Sequence, residues 1–366
     1  ALDEFKQFYR QSLCKYLEVF EIRRKQAIAT IIVCSITAVA ILLLFLRFPS
    51  FTSFFLIPLY LIIFLLFYQS TFKAFTYNFE DKIIQKIHQF IDINQNLTIL
   101  SASSEKDNNQ TLTNIRKSQI FNGLLESNSI EQNHLINGRI NNIDLELAII
   151  NINSFNNHHS TRIFNKNRKE GVKSSVTLTS TFVEIMPFAF RFLKGIPYVF
   201  HRMLKGKSID FQRFQIETLK NKSHNTQIFK GLFFAAKYKR LSQTSTIIRP
   251  KLLETEIDLV YNGKKKIIQL EDVEFNSLFT VYSEDRVQAR KILSTDLIEK
   301  LIRFRKKNKQ NIYLSCMDDM IYIAIEYPEG IFEPSLFTSM LKFTPSRKYF
   351  EAIQLMLGIV EELEIR

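Results

Sequence analysis

A chain of 366 residues with 46% hydrophobic residues can bury a substantial core, as one large domain or two modest ones. Its extremes exclude more than its averages do: glycine occurs only 9 times, tryptophan never, and phenylalanine 34 times, which disfavours folds built on glycine-rich phosphate loops. A formal charge of +13 points toward anionic surfaces, and three scattered cysteines (Cys14, Cys34, Cys316) form neither a disulfide framework nor a zinc spacing.

The chain opens with an amphipathic segment, residues 1–26, in which Phe5, Phe8, Leu13, Leu17 and Phe20 recur at helical spacing. Residues 27–46, AIATIIVCSITAVAILLLFL, hold no charge over 20 positions. At 1.5 Å per residue such a helix matches a bilayer core of about 30 Å. After RFPS comes a second uncharged run, FTSFFLIPLYLIIFLLFY (51–68), so a transmembrane hairpin is expected over 27–70. Pro58 is tolerable inside such a helix because neighbouring groups re-satisfy the freed carbonyl. Arg23, Arg24 and Lys25 precede the first run, Lys73, Lys82 and Lys86 follow the second, and the turn holds only Arg47. The positive-inside rule then puts both termini in the cytoplasm.

Phe72, Phe75, Phe79, Ile83, Ile87 and Phe90 continue a helical stripe beyond the second run. Two readings stand side by side: a helical stalk over 71–100 paired with the N-terminal helix, or stripes that pack on the later domain itself. The polar stretch 101–117 reads as a linker. Beyond it, residues 118–366 read as a cytoplasmic antiparallel-sheet domain with flanking helices. Asn137-Gly138 is a hairpin-turn signal before the alternating Ile143, Leu145, Leu147 and Ile149. Further strands are expected at 229–240, at 255–272 around a second Asn-Gly, and on both sides of Asp318-Asp319 as a turn. The block EDVEFNSLFTVYSEDRVQARKIL (271–293) reads as a strand-to-helix joint. Phe279, Val281 and Tyr282 end a strand, and Asp285 with Gln288 matches a capping box. Ala289, Ile292, Leu293 and Leu297 face the sheet. That helix runs to about Asn308 with a break near Ser294, and a last helix runs from Pro345, capped by Thr344, to about Glu364 with Tyr349, Ile353, Leu357 and Val360 on one stripe. The fold class is a membrane-anchored α+β protein.

The segments SQIFNGLL, NGRINNIDLELA, FKGLFF, LEDVEFNSLFTVYSEDRVQARKIL and IFEP resemble the bacterial membrane-protein family catalogued as domain of unknown function 3137. The resemblance implies a paired transmembrane segment followed by a cytoplasmic domain, and no established activity. It marks Phe121, Gly138, Phe229, Gly231, Phe275, Tyr282, Asp285, Ala289, Arg290, Phe332 and Glu333 as family-like positions with structural roles. Where such proteins join the Leu147 strand to FKGLFF briefly, this chain carries an insertion over about 152–226. From 160 to 250 the count is 18 Lys and Arg against 4 Asp and Glu, which accounts for the whole positive charge. Within it, Phe188, Phe190, Arg191, Phe192, Lys194, Arg202, Lys205 and Lys207 mix aromatic and basic groups in a manner suited to anionic lipid headgroups. Packing on its own domain or on a partner explains the same composition, and no nucleic-acid recognition fold is visible.

No GxSxG, HExxH or Walker spacing occurs, and both apolar runs lack ionisable residues that would mark an ion path. No metal site, cofactor or catalytic residue is expected. The reading is a bacterial inner-membrane scaffold or binding protein, or a subunit of a larger assembly, whose partners are the bilayer, other proteins or further copies of itself. A membrane-face enzyme using Asp285, Arg290 and Glu274 is the rival, and a lipid-surface module through 181–207 is the third.

Overall fold

A computed structural model of the chain describes residues 1–47, 53–76, 79–95, 97–103, 109–121, 128–140, 143–154, 205, 227–251 and 265–364. The N-terminal region is helical: α1 (Leu2–Phe8) passes through a π-helical turn (Tyr9–Leu13) into α2 (Cys14–Arg47), followed by α3 (Ser53–Thr76) and α4 (Phe79–Gln95). Then come β1 (Leu97–Ser103), α5 (Asn109–Lys117), β2 (Asn128–Ile140), β3 (Ile143–Ser154) and β4 (Gln227–Pro250). The C-terminal part holds β5 (Lys266–Ile268), α6 (Val273–Leu278), β6 (Phe279–Ser283), α7 (Arg286–Ile292), α8 (Thr295–Asn308), β7 (Ile312–Glu326) and α9 (Phe343–Glu364).

Among the described residues the strands form one antiparallel sheet around the long β4. β3 lies along its first half and β6 beside its second half, while β7 pairs with it on both sides of an irregular stretch. One face carries Leu145, Leu147, Leu232, Phe234, Ile321, Ile323 and Ile325 against the helices. The other face buries Ile150, Ile152, Phe229, Phe233 and Tyr322 beneath Ile115, Ile120 and Phe121. Burial on both faces explains why β4 and β7 read as nearly continuous apolar runs, FFAA and IYIAI. Gly231 is required where β4 crosses close to β7, since a Cβ there would collide with the carbonyl oxygen of Ile325.

Several expectations are corrected. Of the two readings of the helical stripes, packing on the later domain is the one seen, alongside packing on each other. Phe5 stacks on Phe350 at 4.1 Å, Phe8 on Phe90 at 4.7 Å, and Tyr9 meets Phe343 edge-on at 4.8 Å. α1, the first half of α2, the end of α3 and α4 therefore belong to the same core as the sheet, with Phe5 and Tyr9 reaching α9 while Phe8–Phe90 and Phe20–Phe79 join the helices to one another. The stretch 101–117 is not a linker: β1 ends within it and α5 occupies 109–117. Polar composition misled there because β1 is an edge strand and α5 buries only a narrow stripe including Thr111 and Ile115, with Ser118 buried just after it.

Asn137-Gly138 is not the turn. It lies inside β2, and the chain reverses between Ile140 and Ile143. That register sets Ile140 against Ile143 and Ile136 against Leu147, apolar against apolar, which a reversal at 137–138 would forfeit. Asp318-Asp319 is not a turn either. β7 runs through it as one strand, with Asp318 at φ 52°, since aspartate tolerates the left-handed region and a local kink suffices. Of the strand expected at 255–272, residues 252–264 lie outside the described residues and pairing ends at Ile268.

The 271–293 block is a joint as read. β6 feeds α7, Asp285 caps it, and Ser294 both ends that helix and caps α8 through a bond from Leu297 N–H at 3.0 Å. The cap differs in detail: Asp285 Oδ1 accepts from Val287 N–H at 2.7 Å rather than from Gln288, and Asp285 N–H turns back to Ser283 Oγ. Ala289, Ile292, Leu293 and Leu297 are buried. α9 starts two residues before Pro345, and its stripe of Tyr349, Ile353, Leu357 and Val360 is buried.

Among the described residues no helix is long and apolar enough to cross a membrane. The side chains of 44–62, the end of the first uncharged run and most of the second, lie outside the described residues. The described part of α2 beyond Ile31 nonetheless exposes Ile32, Val33, Ile36, Val39 and Leu43.

Candidate functional site

The helical hairpin meets the domain at a buried ion pair. Glu21 lies on the same turn of α2 as the core residues Leu17 and Phe20, so it enters a place an apolar side chain would otherwise fill. It accepts from Arg24 Nε at 3.0 Å and Nη2 at 2.6 Å, from Met340 N–H at 2.9 Å and from Ser339 Oγ at 3.3 Å. The bonds from Arg24, ahead of the opposing effect of burial, hold its carboxyl down at about 2. Arg24 Nη1 donates in turn to the Leu336 carbonyl, and Tyr9 donates to the Leu341 carbonyl at 2.9 Å. Residues 335–341 thus form a collar fastened to α2 just before its uncharged run begins, with Phe337 of the collar left 64% exposed.

Beside the collar is a cleft of about 520 Å³. Leu17 of α2 and Phe79 and Ile83 of α4 line it, facing the loop from Glu329 to Met340 and the first turn of α9. The loop is shaped by Gly330 at φ 76° and by the Lys230–Glu333 ion pair at 3.6 Å. Phe332 is buried edge-on against Tyr349 at 5.2 Å. Behind it the Tyr349 hydroxyl meets His88 Nε2 at 2.6 Å, and burial pushes the His88 imidazole down to about 4, so it stays neutral. Lys205 reaches the rim, where its carbonyl accepts from Ser335 Oγ at 2.8 Å. An apolar floor with a mixed Lys and Glu rim suits recognition of an amphipathic ligand or a peptide.

The family-like positions divide. Phe332 and Glu333 are brought to this cleft. Phe121 and Phe229 meet at 4.9 Å on the opposite face of the sheet. Gly138 lies in β2 opposite Leu145, Gly231 permits the β4–β7 approach, Phe275 packs on Phe279 at 5.0 Å, and Tyr282 and Ala289 are buried. Asp285, Arg290 and Glu274 are not assembled into one site. Asp285 caps α7, Arg290 pairs with Glu271 at 3.3 Å, and Glu274 pairs with Lys306. Of the lipid candidates, Phe188, Phe190, Arg191, Phe192, Lys194, Arg202 and Lys207 lie outside the described residues. Among the described residues no group of three or more His, Cys, Asp and Glu is placed to hold a metal ion.

Sequence reasoning missed three polar centres. Glu21 with Arg24 was detectable as a charged pair set beside an apolar stripe. Glu146, opposite Ala235 on the second face, is buried; desolvation raises its carboxyl above the ordinary range while Asn114 donates to it at 2.8 Å. His134 is held by Glu80 and Asp81, some fifty residues away in sequence, a contact with no local signal.

Residues 227–365 match the model of the family described as a protein of unknown function, DUF3137. That agrees with the resemblance read from the sequence and covers β4 through α9. No curated protein matches the chain. Among solved structures, the crystal structure of the mycobacterial trehalose monomycolate transport factor A, TtfA, aligns at 7% identity over 75% of this chain and 95% of that one. Its TM-score is 0.28, a likeness too distant to inform the fold or the site.

Proposed function

We propose that this chain, whose residues 227–365 are a domain of unknown function 3137, is a membrane-anchored binding protein. In this reading the second half of α2 and the first half of α3 sit in the bacterial inner membrane. The sheet domain lies on the cytoplasmic side and serves as a scaffold or as a subunit of a larger assembly. One observation carries the anchoring: α2 is a single helix whose buried stripe ends at Ala27, with Ile28 and Ile31 still packed on the core, and which then exposes Ile32, Val33, Ile36, Val39 and Leu43. Exposed Ile63 and Leu66 repeat the pattern on α3. A patch of that kind on a folded protein calls for lipid or a partner. The uncharged run 27–46 within α2, at 1.5 Å per residue, has the length of a bilayer core of about 30 Å, and Arg23, Arg24, Lys25 and Lys73 flank the apolar segments.

The binding half of the reading is supported by the collar cleft and the exposed Phe337. The enzyme reading draws no support from the separate engagements of Asp285, Arg290 and Glu274. Alkaline extraction of membranes from cells making the full chain tests the anchor: retention in the pellet is expected, and release into the supernatant contradicts it. A photo-crosslinking residue in place of Phe337 tests the binding role, with Arg303 on the exposed face of α8 as control. A protein adduct at the first position and not the second supports a scaffold. Lipid adducts alone at Phe337 would reassign the cleft to lipid.

A further inference from the structure

β2 is interrupted by a bulge. Asn133 pairs with Ile149 and Ile136 with Leu147, so three steps on β2 match two on β3. The extra residue leaves both Gln132, opposite Ile150, and Leu135 on the second face of the sheet. His134 lies in the bulge at φ 51°, a conformation that costs a non-glycine residue about 1 kcal/mol or more. That strained backbone accompanies a specific contact on the other side. Nδ1 of His134 lies 2.9 Å from Asp81 Oδ1, and Nε2 lies 3.3 Å from Glu80 Oε2. Both carboxylates belong to the first turn of α4, which begins at Phe79, a few residues after α3 ends at Thr76.

A neutral imidazole carries one N–H and can donate to one of these oxygens. Its other nitrogen would then set a lone pair against a carboxylate lone pair. Only the imidazolium donates to both. We propose that His134, Glu80 and Asp81 form a proton-dependent latch: the imidazolium fastens the helix leaving the hairpin to the β1–β2 side of the sheet, and loss of its proton loosens that attachment. These contacts lie among described residues and do not depend on whether the hairpin lies in a membrane.

The other charged groups nearby are engaged elsewhere. Lys82, next on α4, lies over the Tyr16 ring at 5.9 Å. On β2, Glu131 is held by Asn151 at 3.1 Å and Arg139 by Asp144 at 2.7 Å. On β3, Glu146 is bound by Asn114. Burial by itself lowers the His134 pKa, and the hydrogen bonds and charges of Glu80 and Asp81 reverse this, leaving it above the ordinary 6.5. A group of that kind contributes its stabilisation in full below 6.5, and the contribution is lost as pH rises through the higher folded-state value.

NMR titration of ring-labelled histidines in the full chain tests the latch, with His134→Gln assigning the signal. The expected midpoint is above 6.5 in the unaltered chain and below 6.5 in Glu80→Gln/Asp81→Asn, where burial acts alone. Amide protection at residues 83–86 of α4, whose N–H groups bond to the first-turn carbonyls, corrected for intrinsic exchange, should fall about fivefold as pH rises through that midpoint, and stay level in the double variant. A wild-type midpoint at or below 6.5, or the same pH response in the double variant, overturns the proposal. Should His134→Gln fail to fold, the carboxylate variant carries both measurements.

Discussion

The two halves of α2 share one helix and differ in everything that surrounds them. The first half buries Leu17 to 1% exposure and Phe20 to 2%, and it carries a buried ion pair and a collar. The second leaves Ile36 63% exposed and Leu43 61% exposed. Both are helical although the second is far richer in β-branched residues, so intrinsic propensity is not what sets their surroundings. What separates them is what lies against them: the first half is covered by α4 and the 335–341 collar, while the second touches α3 but leaves Ile32, Val33, Ile36, Val39 and Leu43 exposed among the described residues. A helix that keeps its geometry while its apolar side chains pass from burial to exposure among the described residues is the physical basis for the proposed anchor.

The contrast can be broken most severely from the domain side. Phe5→Ala removes a fully buried ring stacked on Phe350 and should cost about 3–5 kcal/mol, read from denaturant unfolding of the full chain. Arg24→Met leaves Glu21 in the core without its main partner and should cost roughly 3 kcal/mol. If the loss is below about 1 kcal/mol, the collar is peripheral to the junction. A pH series sharpens the point. Folded His88 remains neutral down to about pH 4 while the unfolded chain takes up that proton near 6.5. The His88 contribution to stability should therefore be fully present above 6.5 and fall by about 1.4 kcal/mol per unit between those values as pH drops. Glu21, held at about 2 against an ordinary 4.5, adds a second loss below pH 4.5. The smallest effect belongs to the bare half: Val33→Ala or Ile36→Ala should change domain stability by less than about 0.5 kcal/mol. A cost like that of Phe5→Ala there would mean a protein cover for that face.

Much of this organisation was legible where its causes are local. Asp285, Ser294 and the stripe of Tyr349, Ile353, Leu357 and Val360 announce their helices because caps and periodicity act within a few residues. The stripe of Phe5, Phe8 and Leu17 was visible too. Its partner was not, because Phe350 lies at the far end of the chain and any apolar face would have satisfied the same pattern. Asn137-Gly138 and Asp318-Asp319 were misleading for a related reason. Turn-forming residues are also residues that tolerate bulges and close pairing, and long-range register decides which use prevails. The cleft beside the collar depends on α2, α4 and the 329–341 loop at once. Of its components Phe332 and Glu333 were marked beforehand through family likeness, Lys205 as a lipid-surface candidate, and Leu17, Phe79 and Ile83 as parts of helical stripes; none was marked as part of a cleft.

The chain has no tryptophan, so one introduced at Val39 reports on that position alone. In the full chain reconstituted with brominated lipids, a bilayer-seated hairpin predicts blue-shifted emission and strong quenching for Val39→Trp, and weak quenching for Tyr349→Trp in the domain core if that variant folds, or for Val273→Trp on its surface. Water-like emission from Val39→Trp, unquenched by those lipids in a protein that remains in solution without detergent, would contradict the anchor.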